Sequence, residues 1–204
     1  MSICYIVGAG EFYGEFTKRD GDLVIAADGG YDTLLALGIT PDLILGDMDS
    51  VRSVAENVER LVFPVRKDET DSFLAYREGV RRGYTEFKLY GCVGGREDHT
   101  LANYALLVYA REHGHKITLV GNSSEAFALA NESVTLSGEA LSHLSVFAFG
   151  GEARGVSIRG AEYDTEGVTL TPSYPLGVSN RFLGGDVTVE VKDGTLLVMI
   201  EKTP

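Results

Sequence analysis

Five aspartates fall in three short motifs of this chain: Gly46-Asp47-Met48-Asp49-Ser50, Lys67-Asp68-Glu69-Thr70-Asp71 and Gly94-Gly95-Arg96-Glu97-Asp98-His99. Each motif is framed by glycine or by a residue type that starts helices. Carboxylates spaced this way beside flexible backbone can converge on a hard cation that prefers oxygen ligands, and a bound Mg²⁺ brings phosphates with it. Lys67 and Arg96 stand in the same motifs and can hold the remaining phosphate charge. The combination points to phosphoryl transfer.

The spacing refines this. Asp47 and Asp49 are one residue apart, so in extended backbone both carboxylates project to one side and Met48 to the other. Asp71 opens a helical pattern, where the dipole already favours a carboxylate, so capping and metal binding are both open for it. Arg96 follows a glycine turn after a strand and can chelate phosphate oxygens through its planar fork. His99 can donate to phosphate or simply fill the first helical turn; Asn103 falls one turn further on. Asp28, in Ala27-Asp28-Gly29-Gly30, closes another strand. One such aspartate is most simply a turn or a cap. Several at the same end of one sheet concentrate negative charge that a cation would relieve.

Other chemistries find little support. Gly8-Ala9-Gly10 lacks the third glycine of a dinucleotide fingerprint, which falls one residue late at Gly14. There is no Walker A motif, no zinc-ligand spacing, no nucleophile–histidine pairing and no redox cysteine pair. Ser50 reads as a turn hydroxyl.

Residues up to about 125 alternate strand-like and helix-like runs. Strands are expected at 2–7, 23–27, 42–45, 87–93 and 116–121. Helices are expected at 31–37, 72–82 and 100–113, ended by Gly38, Gly83 and Gly114. That alternation implies a parallel sheet covered on both faces, with ligands collecting at the carboxyl ends of its strands. From Ser133 onward the runs are short and strand-like: 134–136, 144–149, 156–158, 168–170, 186–191 and 195–200. Lys192-Asp193-Gly194 between the last two reads as a hairpin turn. The expected fold is a Rossmann-like α/β domain, residues 1–125, followed by an all-β sandwich, 126–204. In the β half, Gly177-Val178-Ser179-Asn180 reads as a loop, and Tyr163 stands in a polar stretch where it could stack on a ring-shaped substrate.

Bulk properties narrow the class. Of 204 residues, 44% are hydrophobic and 24% charged, an ordinary globular balance. The net charge of −12 argues against a nucleic-acid polymer but not against a nucleotide held by a metal ion and two basic residues. Cys4 and Cys92 lie in apolar runs and read as buried thiols of a reducing compartment. No apolar run is long enough to cross a bilayer and no signal peptide is visible, so a cytoplasmic protein is expected.

Taken in order, the Ala27, Gly46, Lys67, Gly94 and Gly177 motifs, the fourth extending through Thr100-Leu101-Ala102-Asn103, resemble those of the thiamine pyrophosphokinase (thiamine diphosphokinase) family over nearly the whole chain. The resemblance implies a transferase that moves a pyrophosphoryl group from ATP to the hydroxyl of thiamine, giving thiamine diphosphate and AMP. It makes Asp47, Asp49 and Asp71 Mg²⁺ ligands, with Asp28 and Asp98 in or beside that region. Lys67, Thr70, Arg96 and His99 fall on the ATP side, supported by Asn103, and Arg96 with Asp71 or Asp98 on the catalytic group. Ser179 and Asn180 would line thiamine, and Tyr163 would stack on it where some relatives carry a tryptophan. The resemblance also implies a homodimer in which the β half of one subunit completes the thiamine pocket of the other. Two readings of the residues stay open: a Mg²⁺-dependent transferase for another acceptor, such as a pterin, and a nucleotide- or vitamin-binding module without turnover.

Overall fold

The computed structural model describes residues 2–46, 58–63 and 68–201, which divide into two compact units. The first comprises residues 1–106 and 115–122, the second 107–114 and 123–204.

The first unit is α/β. Its strands are β1 (Cys4–Val7), β2 (Leu23–Ala27), β3 (Leu43–Gly46), β4 (Glu59–Val62), β5 (Glu86–Tyr90) and β6 (Lys116–Val120), and its helices α1 (Gly30–Ala36), α2 (Asp71–Arg81) and the start of α3 (Glu97–Glu112). The strands lie in the order β4-β3-β2-β1-β5-β6, every pair parallel. The chain builds outward from β1 on one side and then returns to its other side with β5. That reversal of direction opens a crevice above β1.

Both faces of the central strands β1, β2 and β3 are buried. Tyr5, Val7, Val24, Ala26 and Ile44 pack on Tyr31 and Leu34 of α1. On the other face α2 sits close because Gly79 has no side chain: a Cβ there would stand 2.5 Å from the Phe87 ring and 3.0 Å from the Cys4 sulfur. No helix joins β1 to β2. The aromatic rings of segment 8–22 do that covering work, with Phe16 stacked on Tyr5 at 4.3 Å and Phe12 on Tyr90 at 5.3 Å. Thr70 caps α2 by accepting from the Phe73 N–H, and at the other end Glu78 is gripped by Arg81 and Arg82. Arg81 above all holds the Glu78 carboxyl below its usual range, and Arg82 reaches on to Glu59 of β4.

The second unit contains β7 (Ser124–Ala130), β8 (Ser133–Ser137), β9 (His143–Ala148), β10 (Ala153–Arg159), β11 (Thr165–Leu170), β12 (Gly177–Arg181), β13 (Asp186–Glu190) and β14 (Thr195–Glu201). It is an antiparallel sandwich, β12-β9-β14-β7 in one layer and β11-β10-β13-β8 in the other. Leu144, Val146, Leu196 and Val198 from the first layer meet Val156, Ile158, Val187 and Val189 from the second.

The fold class is the one expected, with four differences in detail. β4 and β7 are additional strands, and β12 is a strand rather than a loop. The expected 186–200 hairpin does not exist, because β13 pairs with β8 and β10 while β14 pairs with β7 and β9. Lys192-Asp193-Gly194 instead carries the chain from one layer to the other, fastened by two Arg154–Asp193 backbone hydrogen bonds at 2.7 and 3.2 Å. Helix α3 begins at Glu97, earlier than expected, which puts Asp98 and His99 in its first turn. Both cysteines are buried free thiols. Among the described residues no helix is long and apolar enough to cross a membrane.

Gly30 tests the packing behind the crevice, since a Cβ there would overlap the Val7 carbonyl oxygen at the end of β1. Gly30→Ala is expected to cost about 3 kcal/mol by overpacking. For a chain of this size that is a fall of roughly 6–12 °C in Tm, read by calorimetry.

Candidate functional site

A cleft of about 400 Å³ opens at the carboxyl ends of β1, β2 and β5, where the strand order reverses. Gly8, Ala9 and Gly10 follow β1, Ala27 and Asp28 end β2, and Gly91, Cys92, Gly94 and Gly95 follow β5. The starts of α2 and α3 complete the wall with Thr70, Asp71 and Ser72, and with Arg96, His99, Thr100 and Asn103. Two helix N-termini therefore face one space, each bringing partial positive charge and N–H groups suited to anions.

The glycines of the floor serve packing first. Gly8 and Gly10 spend their N–H groups on the Tyr90 and Gly91 carbonyls, at 2.8 and 2.7 Å. A Cβ on either would stand 2.6 Å from the Gly91 oxygen or 2.5 Å from the Val93 oxygen. This pair lets two loops touch and does not present a phosphate cradle. Gly94 and Gly95 differ: both have positive φ (75° and 65°), and nothing lies within 4 Å of a Cβ built on Gly95. Their turn leaves room for a ligand at the start of α3.

Asp28 has φ +49°, a left-handed conformation that aspartate tolerates better than most residues. Its N–H donates to the Leu45 carbonyl at 2.8 Å, and Gly46, the residue before Asp47, packs directly on it. Asp71 is the first residue of α2 and faces the same cleft. The described wall thus supplies two carboxylates, the hard oxygen donors that Mg²⁺ takes. No group of three His, Cys, Asp or Glu converges among the described residues, and Asp47, Asp49 and Lys67 lie outside them.

Asp98 behaves differently from the other aspartates. It does not line the cleft. Its carboxylate accepts from Arg96 Nε and a terminal guanidinium nitrogen at 3.1 and 2.6 Å, and from the His99 N–H at 3.0 Å. The Arg96 bond chiefly holds the carboxyl below the usual carboxylate range, which makes it a weak base. Arg96 itself is largely exposed and aligned by this partner. Thr70 lines the cleft while its hydroxyl oxygen caps α2. Ser72 and Thr100 were not anticipated; their only signal was adjacency to motifs already marked.

Asn103 is buried and donates through Nδ2 to the Cys92 carbonyl at 2.8 Å, fixing the segment between β5 and the glycine turn. Cys92, beside it, is buried deeply enough to push its thiol up to about 11.

A second pocket, about 350 Å³, lies wholly in the sandwich. Ile158, Val168, Leu170, Leu176 and Val178 give it an apolar lining, joined by Tyr163 and Asn180. Of these, Ile158, Val168 and Leu170 fall in runs expected as strands, and Val178 in the segment expected as a loop. Tyr163 is 64% exposed, whereas Asn180 is buried and hydrogen-bonded to the Tyr163 backbone. Ser179 takes φ +61° and donates its N–H to Ser145 Oγ at 3.1 Å; it is exposed and does not line the pocket.

The Asn103 bond generates a prediction. Asn103→Ala leaves the buried Cys92 carbonyl without that donor and is expected to cost about 1–3 kcal/mol. Urea unfolding checks it, and an unchanged midpoint would remove Asn103 as the anchor of the turn.

The comparisons with known proteins agree across both units. Residues 17–119 match the family model described as thiamin pyrophosphokinase, catalytic domain, and residues 133–196 match thiamin pyrophosphokinase, vitamin B1 binding domain. A thiamine pyrophosphokinase of Bacillus subtilis (strain 168) is 28% identical over 189 residues, covering 89% of this chain and 87% of the relative. The crystal structure of a Bacillus subtilis thiamine pyrophosphokinase superposes with a TM-score of 0.90 at 23% identity, over 99% of this chain and all of that one. A Geobacillus thermodenitrificans thiamin pyrophosphokinase gives 0.85 at 22%, over 98% of each chain. With both family domains matched in order over most of its length, the chain belongs to the thiamin pyrophosphokinase family.

Proposed function

We propose that the protein transfers a pyrophosphoryl group from ATP to the hydroxyl of thiamine, giving thiamine diphosphate and AMP. One observation carries this reading: each matched family domain holds a pocket of matching chemistry. The catalytic-domain match holds a cleft with carboxylates, Arg96 and two helix N-termini, and the vitamin-domain match holds an apolar pocket edged by an exposed aromatic ring. In functional terms residues 1–125 form the ATP- and Mg²⁺-binding catalytic domain and 126–204 the thiamine-binding domain.

Arg96, His99 and the starts of α2 and α3 take the ATP phosphates, with Lys67 from the neighbouring motif. Asp71, with Asp47 and Asp49, would hold Mg²⁺, and the resemblance puts Asp28 in or beside that region. When bound, that ion neutralises charge on the phosphate oxygens. The chain's own work is largely positional: it aligns the thiamine hydroxyl with the β-phosphorus and keeps Arg96 where charge develops. Asp71 lines the cleft and Asp98 does not, so we assign the hydroxyl proton to Asp71.

Thiamine fits the second pocket because its rings are aromatic and one is cationic, and a tyrosine face attracts both. The family resemblance supports a homodimer with composite sites. The two buried thiols are compatible with a cytoplasmic setting.

Chromatography of a reaction with ATP, Mg²⁺ and thiamine should show AMP and thiamine diphosphate in equal amounts. Asp71→Asn should lower turnover roughly 100-fold or more, the scale of a lost general base. AMP without thiamine diphosphate would redirect the reading to another acceptor, and neither product would redirect it to a binding module. Composite sites make a further prediction: Asp71→Asn and Tyr163→Ala proteins, each impaired alone, should regain activity when mixed and allowed to exchange subunits.

A further inference from the structure

We infer that Asn180 is a positioning residue for the Tyr163 ring and acts on vitamin binding through that ring, an inference that rests on the sandwich pocket being the thiamine pocket. Asn180 is only 4% exposed. Its Oδ1 accepts from the Tyr163 and Arg181 N–H groups, both at 2.9 Å, and its Nδ2 donates to the Tyr163 carbonyl at 2.8 Å. One amide therefore grips both backbone polar groups of Tyr163, seventeen positions earlier in the chain. A carbonyl oxygen has two lone pairs, and both are used here. The Asn180 acceptor oxygen is therefore spent on backbone and not on a ligand donor.

The rest of the tip is fastened as well. The Ala161 N–H donates to Asp164 Oδ1 at 3.0 Å, the Glu162 N–H donates to the Arg181 carbonyl at 2.9 Å, and Ala161 bridges to Phe182. Asn180 reaches Tyr163 because β12 slips register against β9 between Gly177 and Asn180, with Ser179 left-handed in between. Backbone held in a sparsely populated region persists where its surroundings enforce it, and it clusters at ligand sites. The product of these contacts is a large ring left mostly in solvent on a fixed stem. Such a ring adds little to the core. Ordering it in advance removes that entropic cost from the binding of a flat cationic ring.

The test is steady-state kinetics on four proteins: the parent, Asn180→Ala, Tyr163→Ala and the double variant. Asn180→Ala should raise the thiamine KM about tenfold, the scale of a displaced ring–cation contact, with kcat within twofold and the ATP KM unchanged. In the Tyr163→Ala background the same change should add nothing, because the ring through which it acts is gone. Additive losses, or a fall in kcat without a change in thiamine KM, would overturn the inference. If Asn180→Ala does not fold, Asn180→Asp keeps the two acceptor bonds and loses the donor, and should raise the thiamine KM by a smaller factor that Tyr163→Ala again abolishes. The chain contains no tryptophan, so Tyr163→Trp places a single indole at the pocket. Its anisotropy decay should gain a fast component when Asn180→Asp is added, and an unchanged decay would count against the grip. A parent protein that makes no thiamine diphosphate strikes the functional reading instead, and does so before any variant is compared.

Discussion

The close approach of two loops above β1 is the constraint on which the cleft of the first unit depends. The turns after β1 and β5 touch backbone to backbone, and neither Gly8 nor Gly10 has room for even a methyl group. Because those loops lie flat against each other, the starts of α2 and α3 open onto one shared space. Gly30 extends the same logic to α1, which begins hard against the end of β1. A side chain at any of these positions would lift the floor and separate the groups that converge on it. Asp28 and Asp71 share this spot with two helix N-termini, whose partial positive charge favours carboxylates.

The two units solve recognition by different means. The first presents carboxylates, Arg96 and two helix N-termini to its cleft. The second offers a mostly apolar hollow with one aromatic ring at its edge. In both, a buried asparagine stands behind the contact surface and is engaged with backbone: Asn103 with the Cys92 carbonyl, Asn180 with Tyr163. Buried amides with this many polar atoms are expensive unless satisfied, so their partners say more about them than their distance from a ligand does.

Much of this was legible in the sequence, for reasons that can be named. Helices α1 and α2 show helical spacing with Gly38 or Gly83 just past the end, both with positive φ. The cleft residues Asp28, Asp71, Arg96 and His99 stand out because they fall at strand ends or at helix starts. What escaped depended on distant partners. β7 is alanine-rich and has weak strand preference of its own, yet pairs with β14 along its whole length. β4 is a charged edge strand, and β12 is broken by a register slip. Lys192-Asp193-Gly194 has good turn chemistry, but local chemistry cannot say to which layer the next strand belongs. The asparagines were marked as near the sites, whereas their bonds to backbone came only from the fold. Likewise the Arg96–Asp98 pairing, two residues apart, separates Asp98 from the other aspartates in a way spacing does not reveal.

The crossing between β13 and β14 bears on how the sandwich comes into being. β14 lies between β7 and β9, and its partners come from residues 124–130 and 144–148. During synthesis those two strands emerge with the place between them empty, and wait until residues 195–201 have left the ribosome. The parallel strands β1 to β6 need nothing from that late segment for their own pairing. Birth order therefore favours the first unit, while two strands of the second are exposed to wrong partners through the last part of translation, a period in which unpaired edges invite aggregation.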